Sequence, residues 1–532
     1  MSNSSSATSL SFAQQILPLP QVLALAEQHR QAGRLQAAEE LCRQILNTVP
    51  GHAETLHLLG IIAHQAGNIR VALDLLRQAI AADGRVPLYH CNLGEMCRLA
   101  GRLDEALAAG RQALALRPAY PEALNNLGIA HYDRGEYAEA ITHYRRAIEV
   151  VPSYAEAHSN LGNALRALRR LDEAIPAYAR ALALKPGFAD ALSNRALTFH
   201  LLARFDEAVA DFRRAIAAQP LHGNAHTGLA MNHLLQGRFA EGFVEYEWRW
   251  RSSELPSRPP MVAPWRGEDA RGKRLLIHAE QGFGDTIHFC RYLPLLRERG
   301  ATLVLNTQGP LRSLIAEAMP WLEITADGED LPVTDAQCPL LSLPHLLGTT
   351  LDTIPATIPY LHAKPDDTRR FAALVGKEPE LKVGIVWAGS TKHLNDIDRT
   401  VALVTLAPIL SIEGVRFFSL QIGARKGDIL PDHVTDLAPE LTDFAQTAGA
   451  LAALDLLISV DTAPAHLAGA MGKPVWLLLP FVPDWRWLLE REDSPWYPTL
   501  RLFRQKTRGD WRMPVDAVAK ALNDLAQNGQ SR

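Results

Sequence analysis

Residues 121–154 read PEALNNLGIAHYDRGEYAEAITHYRRAIEVVPSY, and this stretch decides the fold of the first half of the chain. Its Gly128 belongs to a series, Gly60, Gly94, Gly128 and Gly162, spaced by 34 residues, which Ala26, Ala196 and Ala230 continue in both directions. Twelve positions after these small residues come Ala38, Ala72, Ala106, Ala140, Ala174 and Ala208, with Gly242 in the seventh unit. Unit ends carry Pro50, Pro118, Pro152, Pro186 and Pro220, and Gly84 substitutes once. A fixed period of this length marks an array of stacked helix pairs. The small residues let the two helices of a unit approach, and proline stops the second helix before the next unit. In the quoted unit the spacing predicts helices from Pro121 to about Asp133 and from Tyr137 to Val150. Leu124, Leu127 and Tyr144 fall on the faces that pack. Each pair can bury its apolar side only against its neighbours.

This frame resembles the tetratricopeptide repeat family over residues 19–256, which implies a right-handed solenoid with a concave groove. Asn92, Asn126, Asn160 and Asn194 recur in one register, at the position that faces the groove in that family. Their amides donate and accept hydrogen bonds, which suits a peptide backbone held in extended form, whatever its side chains. Asparagine is equally an ordinary repeat residue here, and both readings stand. The seventh unit breaks the pattern with GRFAEGFVEYEWRWR at residues 237–251. Trp248 and Trp250 are expected to dock the solenoid onto the region C-terminal to it, as a terminal cap.

Before this array, residues 1–18 are serine-rich and expected to be disordered. Met1 to Ser9 are polar, with neither a basic nor an apolar region, and no signal peptide is expected from them. No apolar run is long enough to span a bilayer. The five cysteines, Cys42, Cys91, Cys97, Cys290 and Cys338, form no CxxC pair and read as buried thiols in a reducing compartment. A cytoplasmic location is expected. The net charge of −4 is mixed in sign, without the basic face that a nucleic-acid partner requires.

After residue 252 the repeat is lost, and a proline-rich connector from Pro256 to Pro264 marks a boundary. Short apolar runs then alternate with helical segments: Leu275–His278, Thr302–Leu305, Val383–Trp387, Phe417–Gln421, Leu456–Val460 and Val475–Leu479. That rhythm predicts βαβ units and parallel sheets. A polar stretch from Pro355 to Pro379 divides the runs into two Rossmann-like lobes, 257–365 and 366–532, facing a cleft. Ligands are expected at the carboxyl ends of the strands.

Two segments can carry chemistry. Gly282-Phe283-Gly284-Asp285 follows a strand and opens a helix expected to run to about Arg299. Asp285 there either acts as general base on an acceptor hydroxyl or merely caps the helix. Ser459 to Ala470 also joins a strand to a helix. Its amides around Thr462 to Ala465, the Thr462 hydroxyl and His466 suit a pyrophosphate, and Asp461 suits a sugar or ribose hydroxyl. The alternative makes Asp461 a cap and His466 a core residue. Asp396-Ile397-Asp398 imitates a metal-binding triplet, but no metal and no cofactor is expected. Arg501, Arg504, Lys506, Arg508 and Arg512 read as a solvated face, and Trp485, Trp487 and Trp496 as packing residues.

Together the two segments resemble the heptosyltransferase family of two-lobed, GT-B glycosyltransferases. The match comprises Gly284-Asp285-Thr286-Ile287-His288 with Leu293-Pro294-Leu295-Leu296, then Ala388-Gly389-Ser390, Asp461-Thr462, His466-Leu467-Ala468, Ala470, Gly472 and Lys473-Pro474. The resemblance implies inverting transfer from a nucleotide-diphosphate sugar. It makes Asp285 the base, and Ser390, Asp461, Thr462 and His466 holders of the donor. Arg399 stands where the family has a lysine, and Ala463 where it has glycine. The fusion of repeats to such lobes is also similar to the protein O-linked N-acetylglucosamine transferases, which implies a protein acceptor in the groove. The alternatives are a repeat scaffold with a catalytically degenerate transferase-like module, and a heptosyltransferase acting on lipopolysaccharide.

Overall fold

The computed structural model describes residues 9–12, 15–252, 262–391, 396–423 and 428–530. By internal packing the chain divides into two compact units, Met1–Phe199 and His200–Arg532. The sequence places the boundary near residue 256 instead. The physical reason for the shift is that the last repeat packs its large side chains against the α/β region.

The first unit opens with strands β1 (Ser9–Phe12) and β2 (Gln15–Pro18), paired antiparallel. This corrects the expectation of disorder for these residues: pairing gives backbone N–H and C=O groups partners that a free segment leaves to water. Residues 1–8 and 13–14 of that segment lie outside the described residues. Helix pairs follow in the predicted frame, first helices of 13 residues and second helices of 14, such as Pro121–Asp133 with Tyr137–Val150. The alanines twelve positions on are buried against the facing helix: Ala38, Ala72, Ala140 and Ala174 are all 0% exposed. The turn within each pair needs a left-handed residue, supplied by Gly33, Gly67, Gly101 and Gly135. In the fifth unit Arg169 takes that conformation at φ 61°, a strain of roughly 1–2 kcal/mol for a side chain with a Cβ.

In the second unit the seventh repeat pairs Gly223–Leu235 with a short helix Phe239–Tyr246 and a 3₁₀ turn Glu247–Arg251. Most of the connector predicted at Pro256 to Pro264 lies outside the described residues. The α/β region holds two all-parallel sheets. The first contains β3 (Arg274–His278), β4 (Thr302–Thr307), β5 (Glu323–Ala326) and β6 (Ala336–Pro339) in the order β5-β4-β3-β6. The second contains β7 (Leu381–Val386), β8 (Val415–Ser419), β9 (Val434–Asp436), β10 (Leu456–Val460), β11 (Val475–Leu479) and β12 (Leu500–Arg504), in the order β12-β11-β10-β7-β8-β9. The helix Pro365–Val375 packs on Phe444–Ala453, where Gly449 leaves room for Asp367, and the helix Arg512–Gln530 follows β12.

Two local expectations are corrected. The helix after Gly282 is not continuous to Arg299: it ends at Phe289, passes through a 3₁₀ turn Cys290–Tyr292 and restarts as Leu293–Glu298, with Pro294 in its first turn. Trp248 does not dock outward. It stacks on His226 of its own repeat at 3.9 Å and 5°. Trp250 does reach His278, at 6.2 Å, but docking rests mainly on other residues. Phe239 and Phe243 pack on Trp496 and Trp485, at 5.7 and 5.6 Å. Arg249, 1% exposed, gives its five N–H groups to Glu280 (2.9 and 2.7 Å), Ser342, Glu247 and the Tyr246 carbonyl. Burial pushes the Glu280 carboxyl up. The bidentate guanidinium and a third bond from the Leu341 N–H nevertheless identify the accepting, ionised form.

Candidate functional site at the cleft of the α/β region

Both motif segments occupy the carboxyl end of a strand, where a parallel sheet places its ligands. β3 leads through a loop to the helix Phe283–Phe289, and β10 leads directly to the helix Ala463–Ala470. These two helices pack against each other. Gly284 is the contact that makes this possible, because a Cβ there would lie 3.0 Å from His466 Cδ2 and 3.6 Å from Ala463 Cα. A cavity of about 1840 Å³ opens beside this junction. Its wall includes Gly284, Asp285, Gly389, Ser390, Arg399, Asp461, Thr462 and His466, together with Met231 and Tyr246 of the seventh repeat. The structure therefore brings together every cleft residue that the sequence singled out. Asn92, Asn126, Asn160 and Asn194 belong to the first unit.

Asp285 sits in the first turn of its helix, and both its oxygens are engaged. Oδ2 accepts from the Gly282 N–H at 2.9 Å, a capping contact, and Oδ1 pairs with Arg486. Arg486 also donates to Asp484 at 2.9 Å. Its guanidinium lies over the rings of Trp485 and Phe289, 4.6 and 5.2 Å from their centroids. Burial alone would lower the Arg486 pKa, but Asp484 and Asp285 hold it above its ordinary value, so the cation is retained. Sequence reasoning missed Arg486. The available signal was the Asp484-Trp485-Arg486-Trp487 run, an arginine between two large rings where a long loop returns to the cleft.

At the second helix Asp461 approaches His466 Nε2 at 3.5 Å. Burial works against ionisation of this carboxyl, yet His466 and Arg399 hold it below the ordinary aspartate range. Arg399 donates to the Asp461 carbonyl at 3.1 Å and lies against Gly389, where any Cβ would collide with the guanidinium. The glycine of the Ala388-Gly389-Ser390 turn is thus required by the arginine that crosses it. Thr462 departs from its expected role. Its hydroxyl donates to the Val460 carbonyl at 3.2 Å and lies 3.0 Å from Ser459 Oγ, turned into the strand end rather than outward. The amides are fewer than expected as well, since Ala465 and His466 N–H both donate to the Thr462 carbonyl and Pro464 has none.

Behind His466 lies a buried polar group that the sequence did not reveal. Tyr497 OH is 3.1 Å from His466 Nδ1 and 2.9 Å from His288 Nδ1. Burial first, then the nearby Arg291 and Arg486, push the His288 pKa well below its ordinary value, so this imidazole is neutral. Trp487 stacks on His466 at 5.2 Å, and Trp485 and Trp496 pack as expected. The basic stretch divides: Arg508 lines the cavity, Arg504 pins the carbonyls of Trp487, Leu488 and Arg491, and Arg512 pairs with Asp510. Asp396 accepts from Thr400 at 3.3 Å and lies 3.5 Å from Arg399. Among the described residues no helix is long and apolar enough to cross a membrane.

In the first unit three ladder asparagines reach back to the preceding repeat. Asn92 donates to His57 Nε2 at 2.7 Å, Asn126 to Cys91 Sγ at 3.5 Å and Asn160 to Asn125 Oδ1 at 3.0 Å. Burial lowers the His57 pKa to about 4, which keeps its nitrogen free to accept. All five cysteines are buried and unpaired in disulfides.

Comparison with known proteins finds two kinds of match along the chain. Tetratricopeptide repeat families match residues 57–121, 125–188 and 202–251, and residues 19–84. Glycosyltransferase family 9 (heptosyltransferase) matches residues 422–478, which include the Asp461–His466 turn but not Asp285. Protein FlbA of Caulobacter vibrioides is 30% identical over 319 residues, 54% of this chain and 52% of FlbA. The chain thus spans about half the length of that relative. Among solved structures, the APC/C hetero-tetramer Cut9–Hcn1 is similar at 20% identity and a TM-score of 0.38, over 40% of this chain and 42% of that one. A tetratricopeptide repeat protein from Parabacteroides merdae is similar at 17% identity and a TM-score of 0.38, over 43% and 91%. The chain carries tetratricopeptide repeat matches between residues 19 and 251 and a glycosyltransferase family 9 match within its C-terminal α/β region.

Proposed function

We propose that the chain is an inverting glycosyltransferase that moves a sugar from a nucleotide-diphosphate donor to an acceptor hydroxyl on a protein recruited by the repeats. The observation that supports this most is the contact of Gly284 with His466 and Ala463, which puts Asp285 and the Asp461–His466 turn on one cavity. The diphosphate would lie at the start of the helix Ala463–Ala470, with Arg399 as its counter-cation. Asp285 would take the acceptor proton as that oxygen attacks the anomeric carbon, and the bond to the diphosphate breaks with its electrons on the leaving group. Arg486 anchors one oxygen of Asp285, and each carboxylate oxygen retains a second lone pair for the acceptor hydroxyl. Catalysis in this scheme is positioning plus stabilisation of the departing charge, and needs no metal or cofactor.

The test is mass spectrometry of the purified chain incubated with a panel of activated sugars and a lysate from which protein acceptors can be drawn. Asp285→Asn should lower turnover by roughly 10²- to 10⁴-fold, the usual worth of a general base, with donor binding preserved. Unchanged turnover removes Asp285 from the mechanism. The occupied Ala465 and His466 amides and the inward Thr462 hydroxyl favour a second reading, a protein-binding scaffold with a degenerate module. Failure of UDP, GDP and ADP to bind in calorimetry would favour that reading.

A further inference from the structure

We infer that Tyr497 is a positioning residue which locks His466 in one tautomer, with the proton on Nε2, so that this imidazole offers the cleft a fixed N–H donor. The inference rests on the transferase reading only in taking the cleft's occupant to be a nucleoside diphosphate.

A phenol hydroxyl has one proton to give, so Tyr497, placed between two imidazole nitrogens, donates to one and accepts from the other. The two far ends decide the direction. At one end His466 Nε2 faces the Asp461 carboxylate at 3.5 Å. A bare nitrogen there would set a lone pair against a negative charge, whereas an N–H is attracted. With that proton on Nε2, a neutral His466 has a bare Nδ1, which accepts the Tyr497 O–H. The Tyr497 oxygen then accepts from His288 Nδ1–H.

At the other end His288 Nε2 is buried without a hydrogen-bond partner. With His288 donating from Nδ1, it is a bare nitrogen. In the reverse direction it would be a buried N–H with no acceptor, the rarer defect in folded proteins. A doubly protonated His466 would force that same reverse order. The neighbours do not interfere. Tyr360 OH also lies 3.5 Å from the Tyr497 oxygen, farther than either imidazole nitrogen, but it donates to the Ile287 carbonyl at 3.1 Å and accepts from Arg291 at 2.9 Å, so its own proton is committed to the shorter bond. Arg291 lies over the Tyr497 ring, 4.5 Å from the centroid, and has no proton-accepting atom. Trp487, stacked on His466, fixes the plane of the ring. One ordered series of donors therefore runs from His288 through Tyr497 to His466 and ends at the cavity wall. Such control of one imidazole nitrogen by the bond on the other is how proteins set histidine tautomers. In this site the product is a neutral donor suited to a phosphate oxygen.

The experiment is ¹⁵N spectroscopy of the full chain labelled at histidine, with the His466 signals assigned by their loss in His466→Gln. The expected pattern has His466 protonated at Nε2 and bare at Nδ1, and His288 protonated at Nδ1. Tyr497→Phe should replace the single His466 tautomer by a mixture. A wild-type His466 protonated at Nδ1 overturns the inference, as does an unchanged tautomer in a folded Tyr497→Phe. Should that variant not fold, the wild-type pattern alone decides. UDP, GDP and ADP are then titrated in calorimetry. Whichever binds the wild type should bind Tyr497→Phe roughly tenfold more weakly, the size of one lost hydrogen bond. If none of the three binds the wild type, the transferase reading fails, while the tautomer pattern still stands or falls on its own spectrum.

Discussion

Tyr144 and Tyr246 stand at the same place in the repeat frame, sixteen residues after Gly128 and Ala230, and serve different ends. Tyr144 covers the small residue of its own unit so closely that a Cβ on Gly128 would lie 2.7 Å from its Cδ1, and Tyr178 covers Gly162 in the same way. Tyr246 instead carries the Arg249 guanidinium 5.0 Å from its ring centroid and bonds the Gln281 side chain, at the entrance to the Gly282–Asp285 loop. An interior repeat has a following repeat to cover its faces. The terminal repeat has none, and its frame positions serve contacts with the α/β region. A repeat position therefore predicts what a residue packs against only where another repeat comes after it.

The strongest way to break this comparison is at Arg249. Removing it leaves Glu280 buried, 6% exposed, without its cation, and such uncompensated charges cost about 3–5 kcal/mol. Arg249→Ala should lower the stability of the second unit by that amount, read by hydrogen exchange against denaturant on peptides of the Gly223–Leu235 helix and of β3. Exchange in the first unit should be unaffected. A loss below about 1 kcal/mol, the range of a surface pair, would mean that the terminal repeat is not tied to the α/β region through this guanidinium.

A smaller effect is expected inside the array. Gly128→Ala places a methyl against the Tyr144 ring, which is 2% exposed and has nowhere to go. Overpacking of about 1–3 kcal/mol, offset by roughly 1 kcal/mol of helix propensity, leaves a net loss of up to about 2 kcal/mol. Gly60 shares the frame position but meets Leu76 Cγ at 3.2 Å, a flexible neighbour. Gly60→Ala should then be neutral or slightly stabilising by thermal unfolding, and equal losses at both sites would sink the distinction.

The same contrast explains what was legible beforehand. The helices Pro121–Asp133 and Tyr137–Val150 were readable to the residue, because the small residues and prolines that frame them recur 34 residues away. In the α/β region the six interior strands were readable from their apolar runs. The four missed strands, β5, β6, β9 and β12, are the edges of the two sheets. An edge strand need not be apolar on both faces, and β12 hid within a basic stretch because Arg501 points outward. The motif residues Asp285, Asp461 and His466 were visible through the strand-to-helix turns that carry them. Their partners were not: Arg486 lies 201 residues from Asp285, and Tyr497 lies 209 from His288. No local spacing encodes such a meeting, and a buried tyrosine hydroxyl looks in sequence like any core aromatic.

The smallest expected effect falls on Tyr246 itself and isolates the hydroxyl from the ring. Gln281 holds a left-handed backbone at φ 61°, an uncommon conformation for a side chain and a store of strain next to a functional loop. Tyr246 donates to its Oε1 at 3.3 Å and accepts from its Nε2 at 3.0 Å, while Gln308 donates to its carbonyl at 3.3 Å. Tyr246→Phe keeps the ring under Arg249 and removes the hydroxyl, at a cost of roughly 0.5–1.5 kcal/mol. That loss should appear locally, as faster amide exchange at Gly282 to Asp285, with the global unfolding midpoint little changed. Tyr144→Phe is the matched control, since the ring alone covers Gly128, and no exchange difference should result from it. If the two variants behave alike, the hydroxyl of the terminal repeat has no part in holding the loop, and the seventh unit serves the cleft by packing only.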